Sequence, residues 1–185
     1  MRPDGAAEAS AWLETLRAQH GISGDYDATA FWPFRIGPVA VPVPNFSWRR
    51  AAIQRHDLHH MVNGYPFNLR GEFQVAAWEF GAGFYPHIGA RLLILPLVML
   101  GVVWSPRRLW RAFLRGRRMT SLYRPEMLAA DLSAIRTWLL AGDHRAPESR
   151  SAGLRDVAHF VILVLQSSAM ILAPVAALVA VSTLL

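Results

Sequence analysis

The residues best suited to chemistry lie in one short segment, Arg55-His56-Asp57-Leu58-His59-His60-Met61-Val62-Asn63-Gly64, continuing to Arg70-Gly71-Glu72. On a helix advancing about 100° per residue, His56 and His60 fall about 40° apart and one turn above each other, so both imidazoles reach one ion. Asp57 flanks that face, where it either ligates or orients an imidazole N–H. After a reversal at Gly64 and Pro66, Glu72 opens the next helix and faces back across the pair. Two histidines with one or two carboxylates leave an open coordination position, as a catalytic ion requires and a closed structural site does not. His59 reads as an outer or packed residue. Tyr65 and Arg70, in and just beyond the intervening turn, and Arg91 are candidates to touch a substrate; Arg91, beside an apolar stretch, reads either as a snorkelling side chain or as a partner for an anionic head group.

These side chains need helices to hold them. Residues 7–20 read as an amphipathic helix stopped by Gly21. From Phe31 to Phe46, four prolines alternate with valines, which predicts an extended or polyproline strap. Asn45 or Ser47 then caps a helix running to about Asn63, ended by Gly64 and Pro66. A second helix is predicted from near Glu72 to Gly81. Leu92 to Trp104 is apolar throughout but covers only about 20 Å as a helix, against a hydrocarbon core of about 30 Å. Residues 107–118 form a basic amphipathic helix in which Arg107, Arg108, Arg111 and Trp110 are expected to meet lipid. His87 is expected at a loop end.

Composition narrows the classes. The chain has 185 residues, 19 cations that are all arginine, no cysteine, a formal charge of +6 and 53% hydrophobic residues. Without cysteine there are no disulfides, thiolate metal sites or thiol nucleophiles. A membrane surface explains a basic and apolar chain at least as well as nucleic acid does, and no nucleic-acid-binding motif is present, so no nucleic-acid partner is expected. Phe160 to Leu185 is apolar over a length of about 39 Å as a helix, and is predicted to span a membrane. The first twenty residues lack an apolar run of secretory type. Arg145, Arg150 and Arg155 precede the span and nothing charged follows it, so the preceding domain is expected on the cytoplasmic side of a cell inner membrane. The resulting organisation is an all-α domain over 1–145 with the strap at 31–46, a linker at 146–157 and a transmembrane helix at 158–185.

The H-D-x-x-H motif followed by eleven residues and Glu, spelled here HDLHHMVNGYPFNLRGE, resembles the Coq-four family of ubiquinone biosynthesis proteins. Gly64, Pro66, Asn68 and Gly71-Glu72 match its G-x-P-x-N-x-x-G-E turn. Trp78, Glu79 and Phe80 stand at a W-F-E-like stretch, and Arg115-Gly116-Arg117-Arg118 to Leu122-Tyr123 at a basic segment. The resemblance covers roughly residues 50–140; the strap and the C-terminal span depart from it. It implies an all-helical protein holding a divalent metal, zinc, through His56, Asp57, His60 and Glu72. It also implies binding of a hydrophobic or prenylated small molecule and association with membrane lipids and with other lipid-biosynthesis enzymes; a homodimer is a further candidate that the resemblance does not decide. The activity implied is loss of the C1 carboxylate, with oxidation there, from a lipid-tailed aromatic ring, or organisation of the enzymes that do this. Zinc has no redox chemistry, whereas two histidines and a carboxylate equally suit Fe(II).

Other readings fail on particular residues. His56-x-x-His59-His60 matches one box of the membrane di-iron hydroxylases, but those need about eight boxed histidines by their family pattern and this chain has seven, four of them isolated. Asp57 stands where a zincin has Glu. No nucleophile elbow, dinucleotide fingerprint or P-loop is present. Three classes remain: a metal enzyme, an organiser braced by its metal, and a membrane-surface adaptor without metal.

Overall fold

The structure is a computed structural model, and it describes residues 11, 14–15, 17–19, 30–36, 38–84, 86–123, 132–141 and 152–184. The described residues are mostly helical. Two strands, β1 (Phe31–Ile36) and β2 (Val39–Pro44), are followed by helices α1 (Ser47–Asn63), α2 (Leu69–Ala82), α3 (Ile88–Trp104), α4 (Pro106–Gly116), α5 (Leu132–Ala141) and α6 (Leu154–Leu184).

The predicted proline strap is instead an antiparallel hairpin, and the all-α expectation needs that correction. Phe31 pairs with Pro44, and Pro33 with Pro42. Antiparallel pairs alternate between those that exchange hydrogen bonds and those that do not. Pro33, Pro42 and Pro44 all fall in one alternate class, so the missing N–H groups are ones that point away from the partner strand. A two-stranded ribbon has only edge strands, where proline is tolerated. The extended backbone expected from the prolines is present; its pairing into a hairpin is the addition, and proline register permits it.

The helix ends follow local chemistry. α1 stops at Gly64, which takes the left-handed conformation at φ 67°. Neither Asn45 nor Ser47 caps it as expected: Phe46 is the N-cap residue without a side-chain hydrogen bond, and Asn45 Oδ1 accepts from Arg49 instead. α2 begins at Leu69, three residues before Glu72, because the Asn68 side chain accepts from the Gly71 N–H at 3.0 Å. Of the predicted 7–20 helix, the residues described are helical and the others lie outside the described residues. Residues 146–151 of the predicted linker also lie outside the described residues, and 154–157 belong to α6, so the last helix starts earlier than the predicted residue 158. His87 caps α3, its Nδ1 accepting the Gly89 N–H at 3.1 Å while its ring stacks on Trp48.

The core lies between α2, α3 and α4, around Trp78, Phe73, Val98, Leu109 and Phe113. α2 and α4 touch backbone to backbone. A side chain at Gly81 would strike the Phe113 carbonyl, and one at Gly116 the Trp78 carbonyl, so reciprocal glycines allow the two helices to approach closely. Phe160 of α6 packs on Trp110 and Phe113, and Ser168 meets Met99 of α3. Trp110 is therefore partly covered by protein, while Arg107, Arg108 and Arg111 are exposed. α6 is long and apolar enough, by length and composition, to cross a membrane. Only 11% of its most apolar stretch is buried, leaving Val161, Ile162, Leu165 and Leu172 exposed.

Candidate metal centre

α1 and α2 are joined by a turn whose backbone is spent on positioning His60. The Tyr65 N–H bonds the His60 carbonyl at 2.9 Å, and the Tyr65 carbonyl comes back to accept from His60 Nδ1 at 3.3 Å. At Gly71 a Cβ would run into the Pro66 carbonyl, so only glycine lets the turn close with Glu72 on the facing side. Tyr65 itself is buried, its ring under the Arg115 guanidinium at 5.8 Å. Arg115 in turn donates to the Asn63 carbonyl at the end of α1, where a cation suits the helix dipole.

Three donor groups converge. His56 Nε2 lies 3.2 Å from Glu72 Oε2, His60 Nε2 lies 3.2 Å from Glu72 Oε1, and the two Nε2 atoms are 3.3 Å apart. One ligand atom from each of His56, His60 and Glu72 falls within 4.8 Å of the others. Asp57, predicted as a fourth ligand, lies outside this group. It is buried and rotated by its one-residue offset onto the wall of an adjacent cavity.

The carboxylate that holds the imidazoles is Glu79. Its Oε1 accepts from His59 Nδ1 at 2.7 Å, His56 Nδ1 at 3.0 Å and the Tyr123 hydroxyl at 3.0 Å. Its Oε2 is buried with no hydrogen-bond partner. The Leu122 N–H donates to His59 Nε2 at 3.0 Å, which makes that nitrogen an acceptor and places the His59 proton on Nδ1. His59 is therefore turned away from the ion position, as an outer residue linking α1 to the 121–123 turn. For His56 and His60, each Nδ1 proton faces an oxygen acceptor, which leaves both Nε2 lone pairs aimed at the same point.

Electrostatics favour positive charge there. Burial alone would lower the His56 pKa, but Glu79 and Glu72 more than offset it and raise it well above the ordinary value. Burial would raise Glu72, yet hydrogen bonds and charge from His56 and His60 hold it well below the usual carboxylate range. Glu79 is likewise pushed down to about 2: burial opposes this, and His56 and His59 outweigh it. Burial lowers His59 despite Glu79, and burial with Glu79 raises Tyr123 well above its ordinary value. Without an ion, a proton on His56 sits between the buried Glu79 carboxylate and the partly exposed Glu72 carboxylate. A divalent cation at the three donors replaces that proton and neutralises the same charge. The residues present thus fit a metal of the two-histidine, one-carboxylate type.

A cavity of about 320 Å³ adjoins the centre. His56, Asp57 and Glu72 lie in its wall; Val43, Phe67, Phe84, Leu93, Ile94 and Leu97 supply most of its apolar lining. Tyr65, Arg70 and Arg91, predicted to touch substrate, do not line it. Tyr65 acts through its backbone carbonyl, Arg70 is exposed at the start of α2, and Arg91 lines a different cavity.

Comparison of the chain with protein-family models, curated proteins and solved structures returns no match. The functional reading therefore stands on the geometry and on the sequence motif.

Proposed function

We propose that this chain is a membrane-anchored, metal-dependent protein of Coq-four type that acts on a hydrophobic aromatic acid. His56, His60 and Glu72 would hold one divalent ion, zinc or Fe(II), with Asp57 beside it at the cavity wall. The observation that carries this reading is the junction of the three-donor group with a cavity whose remaining wall is mostly apolar, Arg49, Asp57 and Tyr123 being its other polar members. Such a site takes an apolar molecule and presents one polar end of it to the ion. When bound, the ion supplies Lewis-acid stabilisation of the negative charge that develops as a ring carboxylate is lost as carbon dioxide and replaced by a proton.

The chain's own residues do the rest. The aliphatic and aromatic lining holds the ring and the start of a lipid tail and keeps water away. Glu79 and the Tyr65 carbonyl fix the imidazole tautomers, so the ligands need no reorganisation when the ion binds. Asp57, buried at the cavity wall, stands where a proton could be delivered to the ring. α6 would anchor the domain on the cytoplasmic side of the inner membrane, close to where a prenylated substrate partitions and where other lipid-biosynthesis enzymes would meet it.

A second reading, an organiser whose metal is a brace, is favoured by one feature. The Glu79 network already ties α1, α2 and the 121–123 turn together, so an ion would add a further tie at the same junction. The variant Glu72→Ala separates the two. A catalytic centre predicts loss of turnover of a prenylated hydroxybenzoate with thermal melting and lipid retention preserved; a brace predicts a large loss of melting temperature. Elemental analysis showing no ion bound to the purified wild-type chain would overturn both.

A further inference from the structure

A second polar cluster surrounds the foot of α6, remote in character from the metal centre. A cavity of about 200 Å³ between α2, α3, α4 and α6 is lined by Arg91, Arg117, His159 and Gln166 above a floor that includes Phe80 and Phe113. The Arg91 guanidinium lies over the Phe80 ring at 5.8 Å and has no carboxylate partner among the described residues. Arg117 donates from Nε to Asp156 at 3.1 Å. On its other side Arg117 joins Arg118 and Arg155 around an adjoining cavity in which Asp156 is the only acid among the described residues. Four arginines and a histidine thus collar the first turns of the apolar helix against one aspartate.

We propose that this groove binds the phosphodiester headgroup of an anionic phospholipid. Arginine forks match phosphate oxygens in pairs, and Gln166 adds a neutral donor. The floor beneath is aromatic, and Val161, Ile162 and Leu165 continue from the groove as exposed apolar surface. A ligand charged at one end and apolar beyond it suits this sequence of surfaces; a free phosphate would leave the apolar part uncovered. The collar stands where a membrane-spanning α6 would leave the hydrocarbon, at headgroup level. The proposal rests on reading α6 as membrane-inserted and is independent of the metal.

The test uses the full chain reconstituted in phosphatidylcholine vesicles with phosphatidylglycerol as the minority lipid, followed by native mass spectrometry of the lipid it retains. Phosphatidylglycerol should be retained in preference to phosphatidylcholine, and Arg91→Gln should lower that retention about fivefold. Arg91 is exposed and has no acidic partner among the described residues, so the variant should fold, which thermal melting verifies. The double variant Arg107→Gln/Arg108→Gln removes more charge from a face expected to meet lipid of any kind but outside the groove, and should leave the preference for phosphatidylglycerol over phosphatidylcholine unchanged. Equal retention of the two lipids, an Arg91→Gln variant that retains as the wild type does, or an equal loss of that preference in the Arg107/Arg108 variant overturns the proposal. Displacement of phosphatidylglycerol by inorganic phosphate alone overturns the lipid assignment in favour of a free-anion site. Flotation with pure phosphatidylcholine vesicles reads membrane insertion separately. A chain that fails to float removes the membrane reading of α6 and this proposal with it; one that floats without headgroup preference removes this proposal only.

Discussion

The two polar clusters of this molecule are built on opposite plans. At the candidate metal centre, His56 and His60 are held by hydrogen bonds from behind, through Glu79 and the Tyr65 carbonyl, and Glu72 meets them from the facing side. At the foot of α6, Arg91 is held by an aromatic face, and the guanidinium remains available to solvent. The first plan suits an ion, which requires fixed lone pairs and tolerates little displacement. The second suits a fluid, variable headgroup, which requires charge but not a single geometry. Preorganisation by a buried carboxylate is what distinguishes a coordination site from a basic surface here.

Breaking that preorganisation should have graded effects. The largest is expected from Gly71→Ala, which forces a methyl group into the Pro66 carbonyl and displaces Glu72 from the histidines. A destabilisation of about 1–3 kcal/mol is expected by thermal melting, together with loss of stoichiometric metal. Next is Glu79→Gln, which keeps the shape and removes the charge behind His56 and His59. Metal affinity should fall about 10–100-fold in a competition titration, with the helical content unchanged. Tyr123→Phe removes one hydrogen bond to Glu79 and should cost about 1 kcal/mol of stability in denaturant unfolding with a small effect on affinity. The same substitutions should leave lipid retention at the α6 foot untouched, and a parallel loss there would show that the two clusters are not independent.

The pH dependence of the metal-free chain sharpens the contrast further. Glu79 is held down to about 2, so its contribution is fully present above its ordinary value of 4.5 and is lost as pH falls towards about 2. His56 is raised, so its contribution is present below its ordinary value of 6.5 and is lost as pH rises through the raised one. Melting temperatures in chelator should therefore peak between these limits and fall on both sides. A bound ion, replacing the His56 proton, should remove the decline on the alkaline side.

Much of the centre was legible because it depends on helical period and on punctuation. The one-turn spacing of His56 and His60 put their rings on one face, and Gly64 with Pro66 forced the reversal that returns Glu72 to them. Glu79 was missed as the outer partner, although a signal existed: it follows Glu72 by seven residues, two helical turns, and so shares the face turned towards α1. Asp57 is not among the three converging donors because adjacency in sequence is a rotation of about 100° on a helix, which carries it to the cavity wall. The contribution of Tyr123 was not legible, since it comes from a turn 44 residues beyond Glu79. The hairpin escaped because proline content was weighed without its register, and register belongs to the pair of strands, not to either alone. Length and apolar run exposed α6 early, whereas its basic collar needed the fold to bring Arg91 and Arg117 beside His159.

The central claim is that one ion is held by His56, His60 and Glu72, with both imidazoles ligating through Nε2. Nitrogen NMR of the histidine rings during zinc titration of the full, metal-free chain tests it directly. The account predicts saturation at one ion per chain, with the Nε2 resonances of His56 and His60 shifting and both Nδ1 protons and the whole of His59 unchanged. Saturation that moves His59 instead, or leaves the His56 and His60 Nε2 signals in place, would contradict it.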